Sequence, residues 1–394
     1  MKRHLLTVVA LAIAQAANAQ SFNAAPPNAT TLKPAFAEQT RAPEITEDLT
    51  LAREVIVSGL RQPWGLDQLP NGSWIVTERV GRMRIVSPQG DLSAPIRGLP
   101  EVDARRQGGL LDVLTAPDFA TTRRVWWSYA EPRGGGRTGT SVATGLLSAD
   151  NREMTQVQVI FQQMPGWAST AHYGSRLVWG ADGSLFVTTG ERSVPEARVL
   201  AQDVTTHIGK ILRIDPMGGA TPGNPRIQNA QPEIWSWGHR NVQAAALGPD
   251  GDLWAIEHGP RGGDELNHIL PGRNYGWPVI TYGEEYSGSP IGEGRTKAPN
   301  MEQPVYYWDP VIAPSGMAFY DGALFPEWQG SILVGGLASQ ALVRLTLDKG
   351  RVTGEARYLQ GKARVRDVDV AQDGSVMILT DARNGALIRL TPAK

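Results

Sequence analysis

Short apolar runs of five or six residues, each broken by a Gly-containing turn and followed by a second run, recur from Pro63 to Leu390. The first such unit is PWGLDQLPNGSWIVTERVGRMRIV, beginning at Pro63. An apolar run leads into a Pro-Asn-Gly turn, a second run ends at Thr77-Glu78, and a third follows Gly81. This turn chemistry suits a β-hairpin, because Gly takes up the positive φ that a tight turn demands. SRLVWGADGSLFVTTG at 175–190, QAAALGPDGDLWAIEHG at 243–259 and VRDVDVAQDGSVMILTDARNGALIRL at 365–390 repeat the unit. Looser copies at 109–130 and 315–345 bring the number to six. Spacings of roughly 45 to 75 residues give each copy one four-stranded sheet plus insertions.

The chain is therefore expected to be all-β, a six-bladed β-propeller with four-stranded antiparallel blades. Radial closure lets each blade cover its neighbour's apolar face. A sandwich of ordinary hairpins is the alternative, and it accounts poorly for the even spacing. Helical periodicity is scarce throughout, which argues against α/β folds.

The ends read differently from this body. Lys2, Arg3 and His4, an apolar run from Leu5 to Ala14, and Ala17-Asn18-Ala19 have the form of a cleaved secretory signal over residues 1–19. A mature chain starting at Gln20 is expected to be periplasmic or secreted. Residues 20–52, polar and Pro-rich, read as an N-terminal arm or linker, with the propeller domain over 53–394. With no Cys, disulfides, thiol catalysis and Cys-ligated zinc are excluded. The 38 basic and 39 acidic side chains nearly balance, and no polybasic run is present, so attraction to nucleic acid is not expected. No second apolar run approaches the ~20 residues of a membrane helix.

Candidate chemistry gathers where the repeats begin. Residues 233–278 hold four Trp and three His around a His239-Arg240-Asn241 run, with Gln243 behind it. His172, in STAHYGSRLVWG, precedes the third repeat, with Arg176 placed either to hold an anion or to pair with an acid. Gln107 precedes the second repeat, and Arg364 and Arg366 open the last on one side of a strand. In a propeller such positions converge on the axis. The loop HGPRGGDELNHILPGRNYGWP offers Asp264, Glu265, Asn267 and Asn274 among many Gly, hard oxygen ligands of the kind Ca²⁺ takes. A loop held by its own hydrogen bonds fits that composition equally well.

Together PWGLDQLPNG, RQGGLLDV, AHYGSRLVWGADGSLFVTTGER, WSWGHRNVQ, EHGPRGGDELNHILPGRNYGWP and RVRDV resemble the soluble aldose sugar dehydrogenases that depend on pyrroloquinoline quinone (PQQ), the glucose/sorbosone dehydrogenase family. The resemblance runs from about Leu60 to Leu390 and implies a six-bladed propeller with the quinone in its axial pocket. It implies His172 as general base, Arg240 and Asn241 over the quinone carbonyls, and Gln107 and Gln243 as cofactor contacts. Arg364 and Arg366 would meet the cofactor's carboxylates. Gly259 and Pro260 would offer carbonyls to a Ca²⁺ shared with the cofactor, and Glu265 and Tyr275 a second calcium site. Leu337 and Ala338 lie in the cofactor-binding turn Gly336-Leu337-Ala338-Ser339, where many family members carry a Lys in place of Ala338. That loss leaves either a lower cofactor affinity or replacement by a neighbour such as Lys362 or Arg383.

The expected activity is oxidation of aldose sugars at C1 to aldonolactones, with PQQ and Ca²⁺ as cofactors and a periplasmic quinone or cytochrome as electron acceptor. A calcium-dependent lactonase-like hydrolase and a non-catalytic sugar-binding propeller are the alternatives. Axial carboxylates should dominate in the first, whereas Arg dominates in this sequence. The second leaves His172 without a task.

Overall fold

In a computed structural model, residues 21–393 are described; the expected signal segment lies outside them. Six sheets follow one another along the chain and close into a ring, a six-bladed β-propeller. Their innermost strands are Pro63–Gln68, Leu110–Thr115, Gly174–Trp179, Val242–Leu247, Pro314–Phe319 and Val365–Val370. In every blade the register between the first and second strands slips near the start of the first. Such bulges bend a strand and re-aim its side chains, here toward the axis.

The turn chemistry read from sequence has a shared physical basis. Asn71, Asp182, Asp250 and Asp373 each accept the backbone N–H two residues on, at 3.0–3.1 Å, and Gly72, Gly183, Gly251 and Gly374 between them take φ near +80°. Between blades the apolar faces meet; the largest cluster runs from Leu69 in blade one to Ile234 in blade three. Trp126 and Trp179 meet edge-on at 4.8 Å across one such junction, and the Trp179 indole donates to the Thr115 carbonyl at 2.8 Å.

Four strands per blade holds for four of the six. Blade one has three, Pro63–Gln68, Trp74–Glu78 and Arg82–Val86. Beside its edge runs a segment with Pro88 and Pro95 whose Ser93 and Ile96 amides donate to Ile85 and Met83. Proline cannot donate to a ladder, so this segment only follows the edge. Blade three gains a fifth, short parallel strand, Arg273–Asn274, from the loop rich in oxygen ligands.

The ring is closed by its two ends: Leu51–Leu60 pairs antiparallel with Gly385–Pro392 and becomes the outer strand of blade six. Ahead of it, residues 21–50 lie across blades four and five. The amides of Asn28 and Ala29 donate to the Asp309 carboxylate, Gln39 donates to the Pro304 carbonyl at 2.9 Å, and Glu47 meets Arg344, Tyr358 and Trp328. Among the described residues no helix is long and apolar enough to cross a membrane.

Candidate functional site

Beneath the site, the axis is filled by an ion-paired triad. Arg176, third residue of its inner strand, meets Asp112 at 2.8 Å and Asp367 at 3.1 Å, third residues of theirs. Gly65 and Gly316 stand at the same position in blades one and five, where a Cβ would come within 2.7 Å of Asp112 and 1.9 Å of Asp367. Arg176 is thus the partner of two acids and does not face a ligand. Its guanidinium lies 4.6 Å from the Trp64 ring, which forms part of the cavity above.

That cavity, of about 270 Å³, brings together six of the expected residues: Gln107, Asn241, Gln243, Leu337, Arg364 and Arg366. Gln243 donates to the Gly174 carbonyl at 3.1 Å and accepts from Arg366 at 3.3 Å. Arg364 and Arg366 share the Asp381 carboxylate, at 2.9 and 3.1 Å. Burial would raise Asp381, but the two guanidiniums hold it below the usual carboxylate range. The Nε atoms of Arg366 and of Arg240 are buried without a hydrogen-bond partner. The cavity therefore suits a polyanionic ligand. Ala338 is exposed and outside the lining, and so are Lys362 and Arg383, the two expected substitutes for its missing charge.

His172 sits beside the lining residues Tyr173 and Gly174, 7 % exposed and in the left-handed region at φ +49°. The turn is over-determined. Gln107 Oε1 accepts the His172 amide at 2.8 Å, and Arg192 Nη1 donates to its carbonyl at 3.0 Å. Gly190 must be Gly, because a Cβ there would lie 2.2 Å from that carbonyl. The imidazole Nδ1 is 2.5 Å from Glu191 Oε1, while no hydrogen bond from the described residues engages Nε2. Burial, and then the charge of Arg240, lower His172 to about 4, with Glu191 opposing both. The ring is neutral at pH 7 with its free nitrogen available.

Arg240 and the loop after blade four's second strand form a second, smaller cavity of about 10 Å³, room for a single ion or water. Gly259, Glu265 and Tyr275 line it with Glu257, His258 and Gly263. Glu257 and Glu265 are cross-strand neighbours, and burial together with Glu257 raises Glu265 well above its usual range. Asn267 donates weakly to both, at 3.3 and 3.4 Å, and its own Oδ1 is buried without a partner. Glu257 is engaged by His239 and the Arg240 amide, which leaves the Glu265 carboxylate and the idle Asn267 amide oxygen as the hard donors that suit a cation.

Three of the expected ligands make other contacts in this structure. The Tyr275 hydroxyl donates to the His268 carbonyl at 2.6 Å and accepts from Leu270, so only its ring and backbone border the cavity. Pro260 lines neither cavity; its ring packs where a Cβ of Gly283 would stand, 2.8 Å away. Asp264 spends one oxygen on the Gly259 amide and the other on those of Ile312 and Ala313, each at 2.8 Å, and so fixes the loop. His239 is fully buried with both nitrogens bonded, to Ser236 and Glu257 at 2.9 Å, which makes it structural.

Glu191, Arg192, Trp64, Arg79 and His258 belong to the site without having been singled out. A repeat signal marks the acids: Glu78, Glu191, Glu257 and Asp381 each close or follow their blade's second strand. Each holds a group at the start of the same blade's first strand, respectively the Arg61 amide, His172, His239 and the Arg364/Arg366 pair.

The family model for Glucose / Sorbosone dehydrogenase matches residues 60–389. The chain is 42% identical over 349 residues to the aldose sugar dehydrogenase YliI of Escherichia coli (strain K12), covering 87% of this chain and 93% of that one. The crystal structure of the apo-form of the soluble aldose sugar dehydrogenase from Escherichia coli superposes with a TM-score of 0.84 at 41% identity, over 87% of this chain and 100% of the other. The PQQ-bound aldose sugar dehydrogenase of Streptomyces coelicolor superposes at 0.72 with 26% identity, over 88% and 100%.

Proposed function

The chain belongs to the glucose/sorbosone dehydrogenase family, and on that premise we propose that it oxidises aldose sugars at C1 to aldonolactones, using PQQ and Ca²⁺ and passing electrons to an external acceptor. The observation that carries the reading is His172. It is a buried, neutral imidazole held through Nδ1 by Glu191, with Nε2 free beside an arginine-lined cavity.

The cavity fits PQQ, a planar tricarboxylate, through Arg364, Arg366 and the unpartnered Nε of Arg366. The smaller cavity fits Ca²⁺ through Glu265, which accepts only a long bond from Asn267, and the loop carbonyls. PQQ, when bound, supplies the two-electron oxidant that takes up the hydride from C1. His172 Nε2 takes the proton of the C1 hydroxyl, a contribution typically of 10²–10⁴-fold. Glu191 fixes the ring's tautomer and stabilises the charge it gains. Arg240, beside His172, stabilises negative charge developing in the cavity. Trp64 and Leu111 line the wall with apolar surface and limit water there.

Residues 1–19 support export, and the acceptor would then be a periplasmic quinone or cytochrome. The test is addition of PQQ and Ca²⁺ to purified apoprotein. Stoichiometric binding seen in the cofactor's absorbance, followed by aldose-dependent reduction of an artificial acceptor, is expected. Lactone hydrolysis without PQQ would support a hydrolase, and sugar binding with no PQQ uptake a binding propeller; either refutes the reading.

A further inference from the structure

The cavity wall formed by blades six and one carries more positive charge than the protein compensates. Arg364, Arg366 and Arg79 all line it, and the one carboxylate among the lining residues is Asp381. Asp381 is already divided between Arg364 and Arg366. Glu78, next to Arg79 in sequence, is spent on Arg82 at 2.6 Å and on the Arg61 amide. Among the described residues Arg79 makes no ion pair. Its Nε donates to the Gly108 carbonyl at 3.0 Å and its Nη2 to the Arg106 carbonyl. Nη1 has no bond from the described residues, and the side chain borders the cavity. Burial and the nearby Arg366 charge both disfavour its protonated form, the condition a bound anion would relieve.

We propose that Arg79 is an anion-binding residue of the axial cavity, receiving a carboxylate of the acidic cofactor from the blade-one side. The inference rests on the PQQ reading and deepens it. A tricarboxylate facing Arg364 and Arg366 has a third carboxylate to place, and Ala338 supplies no cation for it. Arg79 reaches the same cavity from a different blade. Its clamp on residues 106 and 108 also fixes Gln107, whose Oε1 holds the His172 amide. The residue that would meet the cofactor is thereby joined to the turn that presents the base.

The experiment is equilibrium titration of apoprotein with PQQ at saturating Ca²⁺, followed by tryptophan quenching, for wild type, Arg79→Gln and Arg79→Lys, with melting curves of each apo form. Arg79→Gln is expected to weaken PQQ binding roughly 10- to 150-fold, the range of a lost charge-assisted hydrogen bond. Arg79→Lys, which keeps the charge but cannot fork across two carbonyls, is expected to stay within about threefold of wild type, on the scale of sub-kcal/mol changes. Arg79→Met replaces Arg79→Gln if the latter does not fold. A neutral variant that binds PQQ within twofold of wild type overturns the inference. So does a Lys variant as weak as the neutral one, since Arg79 would then act only through its loop. Wild-type protein that takes up no PQQ overturns both the inference and the reading beneath it, and so distinguishes the two failures.

Discussion

Glu191→Gln separates the role of the His172 partner from that of the base itself. Glu191 Oε1 lies 2.5 Å from His172 Nδ1 and also accepts the Ser193 amide at 3.2 Å, so an amide oxygen can keep the same place while the charge is lost. In the ground state the pair is carboxylate with neutral imidazole; as the C1 proton arrives, the ring becomes cationic and the pair strengthens. A hydrogen bond to a charged group is worth about 1.5–3 kcal/mol. If that is lost mainly from the transition state, kcat falls by about 10- to 150-fold. The pH dependence has a fixed sign. Burial and Arg240 lower His172 to about 4, and Glu191 is the group raising it. Without that charge the acid limb of kcat/KM moves to still lower pH, even as the plateau drops. The assay is steady-state aldose oxidation with an artificial acceptor from pH 3.5 to 8, with PQQ affinity titrated in parallel. His172→Ala sets the floor, with at least ~10² lost from kcat. A Glu191→Gln enzyme within threefold of wild type, with an unmoved acid limb, refutes the reasoning.

Three further outcomes are expected. Arg176→Met leaves Asp112 and Asp367 buried and unpaired, and should cost about 3–5 kcal/mol in urea unfolding; because the freed carboxyls hold protons in the folded state that the unfolded chain releases, the loss should be larger at pH 8 than at pH 5. Calcium removal should lower both melting temperature and turnover, since free ion at 100-fold its Kd stabilises by about 2.7 kcal/mol; a chelated protein with unchanged melting would contradict the cation site. Deleting residues 21–46 takes two N–H donors from Asp309 and the cover of Ala29 from Gly262, and should weaken calcium affinity as well as lower the melting temperature, both measurable by calorimetry.

The blades were legible because four of the six repeats carry their own turn, an Asn or Asp side chain folding back on the amide two residues on. Side chains at the starts of repeats were legible as well, since a closed ring leaves them one direction in which to converge. Strand number was less so. In blade one the prolines after Val86 break the ladder although the apolar pattern continues to Ile96. Ligand roles in the 258–278 loop were hardest. Composition shows how many oxygens a loop owns but not which of them backbone amides consume, and Asp264 is wholly consumed while Glu265 is not. Arg79 escaped notice because it follows the end of a second strand and does not open a repeat.

The pairing of Leu51–Leu60 with Gly385–Pro392 has a consequence for how the molecule comes into being. Chain synthesis delivers one partner of this pair first and the other last, and joining segments so far apart costs about 5 kcal/mol of chain entropy before any contact repays it. Such non-local closure is slow compared with forming the hairpins. The cavity wall needs Arg366 from the final blade and Trp64 from the first, and the hydrogen bond from the Leu66 amide to Asp367, at 3.2 Å, spans the same seam. A chain with five finished blades therefore has no weakened version of the pocket, since two sides of it have not yet met. Cofactor capture becomes a readout of the last folding event, and a cofactor present during refolding should act as a latch on the seam, trapping the ring once it has shut.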